Sequence, residues 1–340
     1  MRRLSALTVI LAWPVGAQAV TDRPSGTTAL LQAVSVVDSS VAWVSGHRGT
    51  VLRSVDGGLT WQARPVPGAD SLEFRDIHAA SADVAWALSA GPGERSRIFH
   101  TRDGGASWTE QFRNRDPDAF YDCFAFFDAR RGIAYSDASG GRTNLLATTD
   151  GGASWSLLPA SAVPAPLEGE GAFAASGGCV VAHGERHAWV ALGGPGARLF
   201  RSTDGGTSWS LHDTPIVRGA AAGSTAASFL NADRGIIVGG RIDAYTSDTA
   251  AAAVAVTSDG GATWTLASRP PRPGALFGVT WLPALGPEAV LAVGPGGLFL
   301  SRDAGREWQV LDTRAFWSVG ANGRAAYAVG PRGTIAAITW

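Results

Sequence analysis

The chain has 340 residues, 45% of them hydrophobic and 17% charged, with a mean hydropathy of +0.06. This is the profile of a folded protein and excludes wholesale disorder. All 28 basic residues are arginine and face 29 acids, so there is no basic excess of the kind a nucleic-acid or polyanion binder needs. Beside a single methionine stand 44 glycines and 13 tryptophans, which points to tight turns and aromatic packing rather than to a helical bundle.

Residues 1–19 read as an export signal. Arg2 and Arg3 give a positive start, Leu4–Trp13 is largely apolar, and Pro14 ends the run. Ala17-Gln18-Ala19 then places small residues at the two positions a signal peptidase reads. The apolar run is too short to span a bilayer, and none like it recurs. The mature chain, residues 20–340, is therefore expected to be secreted or periplasmic with no membrane span. The twin arginines leave both export routes open. Cys123 and Cys179 are the two cysteines. They can pair in an oxidising compartment, although a chain of this size buries enough core without a staple, and the sequence does not set the distance between them.

One eight-residue phrase organises the rest. It appears first as Ser54-Val55-Asp56-Gly57-Gly58-Leu59-Thr60-Trp61 and returns at Thr101–Trp108, Thr148–Trp155, Ser202–Trp209 and Thr257–Trp264. A worn copy, Ser301–Trp308, keeps only one glycine and carries Glu307 where the others have Ser or Thr. Successive tryptophans are 47, 47, 54, 55 and 44 residues apart. Each phrase follows two short apolar runs, such as Val41–Ser45 and Thr50–Arg53, and precedes a short alternating stretch. Four short strands in a period of about 45 residues predict the blade of a β-propeller. Ala325–Gly330 and Gly333–Thr339 repeat the two middle strands a seventh time. The missing outer strand of that unit is expected from the stretch Thr21–Leu31, which would close the ring and protect its edges. The expected fold is all-β: a single seven-bladed propeller of four-stranded antiparallel blades, closed by an N-terminal strand.

The repeated phrase resembles the Asp-box of sialidases, sortilins and the photosystem II stability/assembly factors. Its chemistry is structural. Asp56, Asp103, Asp150, Asp204, Asp259 and Asp303 would accept backbone N–H groups and the first Ser or Thr hydroxyl of each turn. Trp61, Trp108, Trp155, Trp209, Trp264 and Trp308 would bury their rings between neighbouring blades. Six identical turns are better explained by fold-keeping than by six metal or catalytic sites, and the copy at Asp303 should be the least tightly held.

Functional residues are expected on the opposite face, where the repeat is broken. Arg75 and Asp76 begin the second blade's inner strand, and Tyr121 and Asp122 begin the third's. Asp137 and Arg142 lie in the third blade's middle loop, Glu168 and Glu170 lead into the fourth blade, and Arg241, Asp243 and Tyr245 sit in the fifth blade's middle loop. Together they would form a polar rim at the channel mouth, or else an ordinary solvated surface. Trp281 and Trp317 are read as core. His183-Gly184-Glu185-Arg186-His187 is read as a hairpin turn, because metal ligation at that spacing needs a helix. No metal or cofactor motif is present, and neither a phosphate loop nor a Gly-x-Ser-x-Gly elbow occurs.

The unit pattern (apolar-Trp-apolar-x-Gly, then Gly-Thr-apolar, then Thr-x-Asp-Gly-Gly-x-Thr-Trp) looks most like the photosystem II stability/assembly factor family, over essentially the whole mature chain. The resemblance implies an exported, non-catalytic scaffold that binds a protein or peptide partner, with Arg75, Arg142 and Arg241 as the arginines available for a recognition patch. A glycan at the same mouth is the other ligand class weighed, and the chain is expected to be a monomer. The alternative is a sialidase-like glycosidase, with Tyr121 and Glu170 as nucleophile pair and Asp122 or Asp137 as acid/base. Against it, the arginine phrase that opens such enzymes is reduced here to Arg23-Pro24.

Overall fold

The computed structural model describes residues 18–340; residues 1–17 of the expected export signal lie outside the described residues. Seven four-stranded antiparallel sheets follow one another along the chain. Inner strands begin the blades at Leu31–Val36, Phe74–Ala79, Tyr121–Phe126, Val180–His183, Ala222–Phe229, Gly278–Trp281 and Ser318–Asn322. Outer strands follow the Asp-box turns and run from two residues, as in Gln62–Ala63 and Ser156–Leu157, to five in Thr109–Arg113. The run at Ala250–Ala255 feeds the strand Val254–Thr257. His183 and His187 face each other across a hairpin.

The seventh blade borrows its outer strand from the other end of the chain. Ala19–Asp22 pairs with Ile335–Thr339, in register from Ala19 opposite Thr339 to Asp22 opposite Ala336. The closing strand therefore lies earlier than the sequence suggested, and residues 23–30 form the loop that leads to the first blade. That loop holds Pro24 and Gly26, which interrupt a ladder.

Packing is divided evenly around the ring. Seven apolar clusters occur among the described residues, one at each junction of adjacent blades. Blades one and two meet through Trp43, Phe74 and Phe99, and blades seven and one through Leu31, Val44 and Tyr327. Each sheet thus buries both faces against its neighbours.

The Asp-box turns have the expected chemistry. In the first, Asp56 Oδ1 accepts Thr60 N–H at 2.9 Å and Ser54 Oγ–H at 2.9 Å, and Oδ2 accepts Thr60 Oγ1–H at 2.6 Å. Ser54 Oγ in turn accepts Gly58 N–H. The same bonds recur around Asp103, Asp150, Asp204 and Asp259. Asp303 keeps the backbone bond to Glu307, whose side chain has no hydroxyl to offer Oδ2. The tryptophans bridge blades: Trp61 meets Tyr327 edge-on at 5.6 Å, and Trp108 meets Trp43 at 6.3 Å.

The two cysteines are joined. Cys123, on the third blade's inner strand, and Cys179, just before the fourth's, form a fully buried disulfide across the blade junction.

Candidate functional site

The mouth of the channel opposite the Asp-box turns is built by a repeated irregularity. In blades one, two, three and five, the inner strand slips register against its neighbour at Gln32, Arg75, Asp122 and Thr225. In blades six and seven, Phe277 and Trp317 donate their N–H to Val293 and Val329, residues already paired with Gly278 and Ser318. Two residues then oppose one, which is a β-bulge. A bulge re-aims one side chain, and Gln32, Arg75, Phe277 and Trp317 all turn into one cleft at the mouth.

In the fourth blade the chain does something different. Residues 172–178 form a strap of mostly small residues that reaches over the channel. Gln32 Nε2 donates to Ala175 O at 3.2 Å, Ser176 Oγ donates to Phe277 O, and Ser318 Oγ donates to Ser176 O at 3.1 Å. The strap is thereby bonded to blades one, six and seven. Gly177 permits the close approach: it has φ of +73°, and a Cβ there would lie 2.3 Å from Asp76 Oδ1.

The cleft of about 340 Å³ above the strap is lined by Gln32, Arg75, Phe173, Tyr245, Phe277 and Trp317, among others. Trp317 is within 5.0 Å of Phe277 and 6.2 Å of Tyr245, centroid to centroid. Tyr245 is 41% exposed, a large aromatic surface for a residue already packed on two rings. Arg75 gives two bonds to Glu73, at 2.6 and 3.0 Å, and lies 5.9 Å from the Phe120 ring. The mouth is therefore aromatic on one side and polar on the other.

The residues named from sequence divide among distinct roles. Arg75 and Tyr245 line the cleft, whereas Arg241 and Asp243 form an exposed ion pair at 3.2 Å beside it. Asp76 is buried in the channel, where it accepts Ile77 N–H at 2.7 Å and Phe124 N–H at 2.9 Å; burial raises its carboxyl well above the usual range. Asp122 and Asp137 are neighbours. Burial raises both, Asp122 well above the ordinary value and Asp137 to about 6, and the nearby Asp137 carboxyl pushes Asp122 further up. Arg142 reaches Leu158 O at 3.2 Å, and Glu168 is exposed.

Tyr121 and Glu170 have separate partners. The Tyr121 ring packs edge-on against Phe112 at 5.0 Å, and burial pushes its hydroxyl to about 12. Glu170 is buried with its carboxylate held by Arg198, whose Nε lies 2.6 Å away and whose Nη2 makes a second bond. The tyrosine that feels Glu170 is Tyr135, a fully buried residue of the third blade. Sequence reading passed over Gln32, Phe173, Phe277 and Tyr135, and it placed Trp317 in the core. Trp281 is indeed buried, with its indole N–H on Ser228 O, but Trp317 is only partly buried and lines the cleft. Alternation assigns such a side chain to the wrong side whenever a bulge intervenes. Among the described residues no group of histidines, cysteines and carboxylates has the arrangement of a metal site, and no helix is long and apolar enough to cross a membrane.

Comparison with known proteins bears out the resemblance read from the repeats. A family model, "Photosynthesis system II assembly factor YCF48", matches residues 24–125. A curated relative, the photosystem II assembly protein Ycf48 of Synechococcus sp. (strain JA-2-3B'a(2-13)), is 34% identical over 70 residues. That match spans 21% of this chain and a fifth of the relative's length. Among solved structures, Ycf48 bound to D1 peptide superposes with a TM-score of 0.67 at 18% identity, covering 97% of this chain and 98% of that one. Ycf48 from Cyanidioschyzon merolae gives 0.65 at 17%, covering 94% and 99%. The GH74 xyloglucanase from Xanthomonas campestris gives 0.66 at 16%, covering 94% of this chain and 53% of the enzyme. At these identities the superpositions establish the propeller fold alone, while the matched segment and repeats make the chain photosystem II assembly factor-like.

Proposed function

We propose that the protein is an exported, non-catalytic scaffold that binds an extended peptide segment of a protein partner in the cleft at the channel mouth. The observation that carries this reading is the cleft itself, where Tyr245, Phe277 and Trp317 offer an aromatic wall opposite Gln32 and Arg75. Aromatic anchors in a concave site, flanked by a few polar groups, are the usual means of holding a peptide or protein side chain. The Ycf48 structure that carries a D1 peptide is consistent with such a use of this fold. Fold alone does not assign it, since the same architecture hosts a xyloglucanase. Export is supported by the signal-like residues 1–19 and by the Cys123–Cys179 disulfide, a bond that persists in oxidising compartments. The protein acts as a monomer in this reading.

The test is a capture experiment on the exported fraction with the full mature chain as bait. A partner should be recovered by the wild type, retained by Leu266→Ala on an outer strand, and lost by Trp317→Ala with Tyr245→Ala. A partner retained by the cleft double variant would reject the site. In parallel, a panel of aryl glycosides, including the sialic-acid type, should show no turnover above blank. Hydrolysis abolished by Glu170→Gln would replace the scaffold by a glycosidase.

A further inference from the structure

The strap that floors the cleft is anchored to the third blade just past its end by the Cys123–Cys179 disulfide and at its start by a hydrogen bond. Ala172 N donates to Asp137 Oδ1 at 2.9 Å, and a cavity of about 280 Å³, walled by Asp137, Glu170 and Phe173, lies beside that bond. Asp122 sits next to Asp137 at the bulge of the inner strand. It is 1% exposed, and its Oδ2 receives no N–H or O–H from the described residues. Two neighbouring carboxyls hydrogen-bond to each other only while one keeps its proton.

We propose that Asp122 and Asp137 share a single proton, and that this proton sets how firmly the strap, and with it the floor of the cleft, is held. The other charged and titratable groups around the pair do not neutralise it. From the fourth blade come Glu170 and Arg198, which are spent on each other. From the second comes Arg75, which is engaged by Glu73. From Asp137's own strand comes Tyr135, whose hydroxyl burial keeps protonated. Arg75 lowers Asp122, but less than burial and Asp137 raise it, and Arg142, on the strand beside Asp137's, is turned to Leu158 O. Asp76 lies against the strap at Gly177, with its carboxyl held by the N–H groups of Ile77 and Phe124.

Three states follow. With one proton, Ala172 N–H meets a charged acceptor, and such bonds are shorter and about twice as strong as neutral ones. With two protons, the acceptor is neutral and the tether weakens. With none, two buried negative charges repel and the strap is pushed from its seat. The strap is therefore tightest in the singly protonated state. Burial holds the Asp137 carboxyl at about 6, and burial together with the Asp137 carboxyl raises Asp122 well above its ordinary value, so the loosening on the acid side falls between about pH 7 and about pH 5.

Hydrogen–deuterium exchange of the full mature chain tests this without any ligand. Rates are corrected for the intrinsic pH dependence of exchange, and peptides covering residues 172–178 are compared with core peptides around Ile236–Val238. Protection of the strap should fall by about tenfold between about pH 7 and about pH 5, in keeping with a charge-assisted bond becoming neutral, while the core peptides stay constant. Asp137→Asn should flatten the strap profile. Asp122→Asn, whose amide stands in for the protonated carboxyl and has no proton to lose, should keep the acid-side fall but abolish the loosening that the wild type shows once pH is raised until the pair gives up its last proton, and it serves alone if the first variant does not fold. A strap profile independent of pH in the wild type, or unchanged in both variants, would overturn the proposal. An unaffected strap response in a protein that captures no partner would reject the peptide reading and leave this one standing.

Discussion

Each Asp-box aspartate stabilises the fold only while ionised, because every group bonded to it is a donor. The hydroxyl and N–H of Thr60 hold the Asp56 carboxyl at about 2, and those of Ser107, Ser154 and Thr263 do the same for Asp103, Asp150 and Asp259. A folded-state value below the unfolded one contributes stability that is present above about pH 4 and lost as pH falls through about 2. Thermal unfolding followed from about pH 5 to about pH 2 should show this loss, and Asp150→Ala should remove part of the slope and lower the melting midpoint by a few degrees. A variant that unfolds with the wild-type acid profile would show that the turn is not held by its carboxylate. Glu170 and Arg198 give the opposite case, a buried pair rather than an exposed clip. Arg198→Met should destabilise by about 3–5 kcal/mol, since it strands a buried carboxylate, and Arg198→Met with Glu170→Gln should recover much of that loss in urea titrations. Equal losses in the single and double variants would mean that packing by the arginine stem, not charge, was being measured.

At the scale of the element, the six turns were legible and the bulges were not. The turn is written in a contiguous phrase whose every position has a chemical reason. A bulge depends on which carbonyl an inner strand finds opposite. The residues that lead into the last two, Pro273-Gly274-Ala275-Leu276 before Phe277 and Arg314-Ala315-Phe316 before Trp317, share only an alanine and an apolar residue ahead of the aromatic, which reads equally as the start of a regular buried strand. The strap was equally hidden: its bonds run from Gln32 to Ala175 and from Ser318 to Ser176, separations of 143 and 142 residues in sequence. What was visible was the departure from the repeat before the fourth blade. The worn sixth turn offers a local test. Ala304 stands at φ of +56°, where the first five copies place glycine at +70° to +75°. A side chain in that left-handed region costs about 1–2 kcal/mol. Ala304→Gly should therefore raise stability by roughly 1 kcal/mol, after allowance for the looser unfolded chain. Glu307→Thr should add the hydroxyl that Asp303 Oδ2 lacks. Denaturant midpoints for the two changes, singly and together, decide the matter; no gain from either would mean that the sixth turn is already held by other contacts.

For the whole molecule, the decisive feature is closure. A ring of seven sheets packs each blade between two others, so the loss of one outer strand exposes an edge and weakens two junctions at once. The strand Ala19–Asp22 covers Ile335–Thr339, Val20 packs against the cluster between blades six and seven, and Arg314 bonds both Asp22 and Asp312 across the seam. A cut after Ala19 leaves Val20, Thr21 and Asp22 in register with Ile338, Ala337 and Ala336, so an export signal of 19 residues and a closed ring are compatible. A chain beginning at Val20 should thus melt cooperatively at the midpoint of the longest form that folds. A chain beginning at Pro24 should melt lower, and it should aggregate at concentrations where the other stays dispersed, because the third strand of the seventh blade then presents unpaired N–H and C=O groups. Scanning calorimetry with light scattering on the two chains separates the cases. Equal midpoints would show that the seam contributes little, and that the seven apolar junctions alone keep the ring shut.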